Sequence, residues 1–301
     1  IVHTTATGTQ QDPAVAVNAN GTILITWSDD SATGTDNSGW AIKGRLFDFD
    51  GVAQMNAGTS STDDFLINVS VAGNQMRSAV ASVGNPGWAV AWADDTNFDG
   101  SSTGIVGTML AAAGNNVAGA DALLNTTTAG AQDHPAIALQ DGIGFVVAWS
   151  DDSRGTDDPY FKGIRARVFD ITGAPRTNGL TMDTNDFQVN TLLEGSQAAP
   201  AVAVDPTSGN VLFLWQDGSA SDGSWAGIRG RILNAAMSAF NSPLSPTGED
   251  FQVNTTTAEA QLTPAVAIFA DQVFCAWEDQ SGLTPDLEGF AVRYRFLPPL
   301  W

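Results

Sequence analysis

Cysteine, histidine and cationic side chains are all scarce in this sequence. Cys275 is the one cysteine. That excludes an internal disulfide but not an extracellular setting, because it is small domains without a sufficient core that depend on cystines. His3 and His134 are the 2 histidines, too few for a histidine-rich zinc site. With 12 Lys and Arg against 33 Asp and Glu, the net charge is −21. A phosphate backbone is repelled by such a chain, which excludes nucleic acid as a partner, and an anionic membrane surface for the same reason. No apolar run approaches the ~20 residues of a membrane-spanning helix, so no membrane insertion is expected. There is no Gly-x-Ser-x-Gly nucleophile elbow and no Gly-Lys-Ser/Thr phosphate loop. Sustained helical periodicity is missing too, which leaves strands.

What the chain does have is repetition. A phrase of Asn-Thr, a few small residues, Gln and then Pro-Ala-Val-Ala recurs along it. It runs from Asn125 through Gln132 to Pro135, from Asn190 through Gln197 to Pro200, and from Asn254 through Gln261 to Pro264. A divergent copy has Asn68, Gln75 and Ser78, and the first has His3 in place of Asn, then Gln10 and Pro13. Each phrase is followed by an apolar run ending in Trp-x-Asp: Trp27/Asp29, Trp92/Asp94, Trp149/Asp151, Trp215/Asp217 and Trp277/Asp279. Residue numbers put successive tryptophans 65, 57, 66 and 62 apart and successive glutamines 65, 57, 65 and 64 apart, so two independent rulers measure the same repeat. A third segment, such as Ile228-Arg229-Gly230-Arg231, and a short fourth, such as Phe251-Gln252-Val253, complete each unit.

Four short apolar segments per unit, bounded by Gly, Asp, Asn and Ser, read as four strands. Radial repetition of four-stranded units is the mark of a propeller. The expected fold is therefore all-β: a five-bladed β-propeller of four-stranded antiparallel blades in one domain over residues 1–301. Its repeats span approximately 4–68, 69–125, 126–190, 191–254 and 255–301. Ile1-Val2-His3-Thr4 matches the segment ending at Thr255, so residues 1–4 are expected to close the last blade as its outer strand.

The inner strands are small (Pro-Ala-Val-Ala), and the second strands alternate with period two toward the tryptophan, which places the five tryptophans in core between blades. The paired cations of the third strand, Lys43/Arg45, Arg165/Arg167, Arg229/Arg231 and Arg293/Arg295, suit bonds to carboxylates or carbonyls between blades. In an up-and-down blade the Asn…Gln segments and the Trp-x-Asp loops share one rim.

That rim holds the candidate sites. Of 33 acidic residues 5 are Glu, leaving 28 Asp, a hard oxygen ligand and also a turn former. Asp29, Asp94, Asp151, Asp152, Asp157, Asp217 and Asp279 are candidate ligands for calcium. The alternative is that the first Asp of each loop caps its turn by accepting backbone N–H bonds. Gln10, Gln75, Gln132, Gln197 and Gln261, with Asn68, Asn125, Asn190 and Asn254, are candidate ligand-binding amides, equally able to bridge strands internally. A glycosidase needs two carboxylates roughly 5–10 Å apart, whereas the inner strands carry acids only at their ends, at Asp12, Asp133 and Asp205.

The phrase Asn125-Thr126-Thr127-Thr128, the Trp149-Ser150-Asp151-Asp152 turn and the Gly163 to Asp170 strand together resemble repeats of large secreted bacterial proteins, which often also carry haemolysin-type calcium-binding repeats. The resemblance implies a secreted or cell-surface setting and supplies no catalytic residues. The architecture is also similar to that of five-bladed lectins, at the level of fold alone. The function expected first is a non-catalytic module that binds carbohydrate or a cell-surface or matrix component. The second is a calcium-stabilised adhesion spacer, and the third a polysaccharide-active hydrolase or lyase.

Overall fold

A computed structural model describes residues 1–83, 87–96, 98–155, 161–269, 272–282 and 289–298. Its regular elements are all strands, grouped in five antiparallel sheets, and among the described residues there is no helix. The chain divides into two compact units, Ile1–Val147 with Phe169–Pro175, and Ala148–Val168 with Arg176–Trp301.

The first unit holds two complete sheets. One runs in the order β1 (Gln10–Val17), β2 (Ile23–Asp29), β3 (Ala41–Phe47) and β4 (Phe65–Leu66). The next repeats it with β5 (Gln75–Ser82), β6 (Gly87–Asp94), β7 (Gly104–Ala111) and β8 (Ala122–Leu123). Each follows chain order because its hairpins join neighbours. Between them lies a core of Leu24, Ile42, Leu46 and Phe65 from one sheet against Trp88, Val90, Trp92 and Val106 from the other. β9 (Gln132–Gln140) is the inner strand of a third sheet, completed by β10 (Gly144–Asp151), β11 (Gly163–Asp170) and β12 (Phe187–Gln188).

The second unit repeats the plan with β13 (Gln197–Val204), β14 (Val211–Asp217), β15 (Gly227–Leu233) and β16 (Phe251–Gln252), then β17 (Gln261–Phe269), β18 (Gln272–Asp279) and β19 (Ala291–Leu297). Leu212, Leu214, Ile228 and Ile232 pack against Val273, Cys275 and Trp277. All five repeat tryptophans are buried, from 0% to 4% exposed, as core rather than surface platforms. The far face of the last sheet differs. Phe274, Tyr294 and Phe296 cluster with ring centroids 5.2–6.1 Å apart, and Tyr294 is 66% exposed.

Two expectations are corrected. The last sheet has three strands among the described residues, not four, and residues 1–4 form no strand. They are held instead at the edge of the first sheet: Arg45 Nη1 donates to the Val2 carbonyl at 2.5 Å, and Thr4 and Thr5 donate their backbone N–H groups to Asp64. In the second unit, Val189, Thr191 and Leu192 are held the same way by Arg231 and Asp250. Residues 2–5 therefore behave as the linker that leads into an inner strand. The second correction is the start of the inner strands, which begin at the Gln rather than at the Pro. In the four sheets where the register is resolved, that Gln pairs with the Asp of Trp-x-Asp, and the ladder then slips by one residue before the Ala-Val-Ala run.

Candidate functional site

The repeated amides form an internal brace. Asn254 Oδ1 accepts the Ile228 N–H at 2.8 Å, and its Nδ2 donates to Asp222 Oδ2, to the Thr256 carbonyl and to Gln261 Oε1 at 3.0, 2.7 and 2.9 Å. Gln261 Nε2 in turn donates to the Ala258 carbonyl and to Asp279 Oδ1. The same pattern joins Asn68 to Gln75 and Asp36, Asn125 to Gln132 and Asp99, and Asn190 to Gln197. All eight amides are buried. Because Asp36, Asp99 and Asp222 lie between the second and third strands, the brace also places these two sets of loops on one rim, as the topology requires. Gln10 stands apart. With His3 in the Asn position it is half-buried, donates to the Thr7 carbonyl, and lines an open cavity with Val2, His3 and Trp27.

The Trp-x-Asp carboxylates are buried turn caps. Asp29, Asp94, Asp151, Asp217 and Asp279 each accept from the hydroxyl of the Ser or Thr two residues on. Three of them also meet a cation of the third strand: Lys43 at 3.1 Å from Asp29, Arg165 at 3.3 Å from Asp151, and Arg293 at 2.5 Å from Asp279. Burial pushes the Asp29 and Asp279 carboxyls up, but the bonds from Ser31 and Lys43, and from Ser281, Arg293 and Gln261, outweigh it and hold both below the ordinary range. Asp152 makes an exposed pair with Arg154, and Asp157 lies outside the described residues. Among the described residues no three His, Cys, Asp or Glu side chains gather as a metal-holding group. Cys275 is buried, and burial pushes its thiol up to about 12, so it is no nucleophile.

The chemistry that sequence reading missed sits where the inner strands slip register. Asp12, Arg77, His134, Ala199 and Thr263 follow the five Gln residues by two, and all have φ between 49° and 56°. A left-handed non-glycine residue costs about 1 kcal/mol, and it turns a side chain out of the ladder. In the second unit these positions carry Ala199 and Thr263. In the first unit they carry Asp12, Arg77 and His134, and these polar groups are linked. Ser28 Oγ donates to Asp12 Oδ2 at 3.4 Å and accepts the Arg77 N–H at 2.9 Å. Arg77 Nη1 reaches both oxygens of Asp133, at 2.9 and 2.6 Å, and His134 Nδ1 lies 3.3 Å from Asp133 Oδ2. Burial raises the Asp133 carboxyl, yet His134 and then Arg77 lower it further, to about 2. Asp133 is ionised at any working pH, while Arg77 and His134 remain 40% and 48% exposed. A small cavity of mixed lining beside them includes Asn74, Arg77, Asp95 and Asp133 together with Met76 and Ala93. Aligning the five repeats and asking which column varies would have found this site, since the neighbouring Gln does not vary at all.

No family model matches the chain, and no protein of curated function matches it in sequence. Solved structures do match it in fold. The α-L-arabinofuranosidase Arb93A of Fusarium graminearum, in complex with an iminosugar inhibitor, is similar over 99% of this chain and 80% of its own, with a TM-score of 0.61 and 13% identity. The family GH93 α-L-arabinofuranosidase of the same fungus with arabinobiose gives 0.61 and 11% over the same shares. At such identity the likeness concerns fold, and it fits this chain to the β-propeller type.

Proposed function

We propose that this chain is a polysaccharide-acting β-propeller, one sheet per blade, whose sugar-engaging site is the Asp12–Arg77–Asp133–His134 cluster. The observation that carries the reading is the run of contacts from Asp12 through the Ser28 hydroxyl to the Arg77 backbone N–H, and from the Arg77 guanidinium on to Asp133, which links two carboxylates at inner-strand bulges. Two carboxylates flanking the scissile bond are what glycoside hydrolysis requires. Asp133, held ionised, suits the role of nucleophile; Asp12 supplies the second carboxyl. Arg77 and His134 offer donors to sugar hydroxyls. The fold likeness to arabinofuranosidases supports the same reading. An extracellular setting, where polysaccharide lies, is part of it.

A second reading, glycan binding without hydrolysis, is favoured by the Arg77–Asp133 pair itself, which keeps the best-placed carboxylate occupied. Product release from arabinan, arabinoxylan and xylan oligosaccharides, measured by anion-exchange chromatography, separates the two. Hydrolysis predicts release that falls at least ~100-fold in both Asp133→Asn and Asp12→Asn. Binding of those glycans without release would leave the second reading. Neither release nor binding overturns both.

A further inference from the structure

The short outer strand of a sheet begins with a buried phenylalanine in three repeats, Phe65, Phe187 and Phe251. The second repeat has Ala122 there. The residue paired with this position is small throughout: Gly44 opposite Phe65, Ala166 opposite Phe187, Gly230 opposite Phe251, and Gly107 opposite Ala122. The small partner makes room for the ring, since a Cβ added to Gly230 would stand 3.3 Å from Phe251 Cζ. The Phe65 ring extends to the turn of the following repeat, where a Cβ on Gly114 would meet Phe65 Cζ at 3.0 Å. One repeat further on the corresponding turn glycine is Gly173, closing the same four-residue turn onto Asp170 that Gly114 closes onto Ala111. Among the described residues no ring atom comes within 4 Å of a Cβ placed on Gly173; its nearest side-chain neighbour is Met109.

The space that a phenylalanine would fill is therefore open. It is a cavity of about 110 Å³ with a mostly apolar lining that includes Gly107, Met109, Ala122, Phe145 and Gly173, with Thr108 and Thr172 as its polar members. Ala122 itself is exposed, so the cavity has a mouth at the surface. Apolar cavities of about 150 Å³ stay dry and take up benzene, and no charged residue lines this one.

We propose that this cavity is a binding pocket for a single uncharged aromatic ring carried by a ligand, seated where the outer-strand phenylalanine of the other repeats lies. It shares no residue with the bulge cluster and does not depend on carbohydrate being the substrate. The test uses benzyl alcohol as the probe, the full chain as the protein, and the Met109 methyl resonance and melting temperature as readouts. The wild type should show a saturable Met109 shift and a melting temperature that rises with probe. Ala122→Phe should melt about 2–4 °C higher without probe and bind at least ~10-fold more weakly. Ala122→Leu, a smaller plug, carries the same test should Ala122→Phe fail to fold. No saturable shift at Met109 in the wild type, or binding unchanged by both plugs, overturns the proposal.

Discussion

In the second, fourth and fifth repeats the inner strand opens on Gln75, Gln197 or Gln261, and two residues later comes Arg77, Ala199 or Thr263. The backbone is the same at both places: a ladder pair at the Gln, a left-handed residue at the slip. The side chains obey opposite rules. In these three repeats the Gln ties an Asn at one end and a linker carbonyl at the other, and no other side chain of that length both donates and accepts. The slip residue changes every time, because it points away from the ladder and nothing inside the sheet constrains it. In a chain of near-copies, constancy marks the frame, and the slip positions are those the frame leaves free to carry something else.

The sharpest way to break this comparison is to remove a brace. Asn254→Ala deletes four hydrogen bonds at a buried position and leaves the Ile228 N–H, the Thr256 carbonyl and Gln261 Oε1 without their partner. At roughly 1 kcal/mol for each buried group stranded, the loss is about 3 kcal/mol, readable as a lower urea midpoint at unchanged slope. His3→Ala in the first repeat, where no such brace exists, should cost under about 0.5 kcal/mol. Equal losses at the two positions would mean that the brace is not what the repeats preserve.

The frame was largely legible in the sequence. Trp-x-Asp, read as the end of a second strand, is that at all five tryptophans. The cations beyond it meet carboxylates within their own sheet, as Lys43 does Asp29, rather than between blades, and reach a neighbouring repeat through carbonyls, as Arg231 does at Val189. Two kinds of feature were not legible. A register slip leaves no mark in a run such as Gln197-Ala198-Ala199-Pro200, whose small residues fit an even ladder equally well. Asp12 and Asp133 therefore read as strand ends rather than as a slip residue and the neighbour of one. Pairing between distant segments is the other. Residues 1–4 match the outer-strand phrase in composition, but the main-chain contacts that hold them, from Arg45 and Asp64, involve side chains some 40 to 60 residues away. Local pattern carries no information about which edge such a segment joins.

A smaller effect is expected from releasing Asp133. Arg77→Gln removes the guanidinium but keeps a donor, so the Asp133 carboxyl should rise above about 2, while His134, the larger cause, still holds it below the ordinary value near 3.9, as followed by NMR titration of its side-chain carbon. The sign for stability is set by the lowered folded value. The contribution is complete above the unfolded pKa near 3.9 and is lost as pH falls from there through about 2. Because Arg77 is 40% exposed, solvent screening holds that contribution to about 1 kcal/mol. The variant should therefore be less stable than the wild type at pH 6 and close to it at pH 2. A pH-independent difference would mean that Arg77 acts by packing rather than by charge.

The slip residues of the second unit offer the finest test, because there the strained backbone carries no charged group. Ala199 holds φ at 49°, with its N–H bonded to Ser150 Oγ at 3.0 Å. Glycine adopts that conformation without the Cβ clash, which favours Ala199→Gly by about 1 kcal/mol. The freer unfolded chain takes back some of this, leaving a gain of about 0.5 kcal/mol and a melting temperature one or two degrees higher. His134→Gly relieves the same strain at φ 53°, but it also removes the imidazole beside Asp133, and by the site assignment it should weaken the handling of glycan while leaving stability nearly unchanged. If both substitutions stabilise and neither touches glycan release or binding, the charged slips of the first unit are no more functional than the bare ones of the second. Divergence among the repeats would then be drift rather than a site.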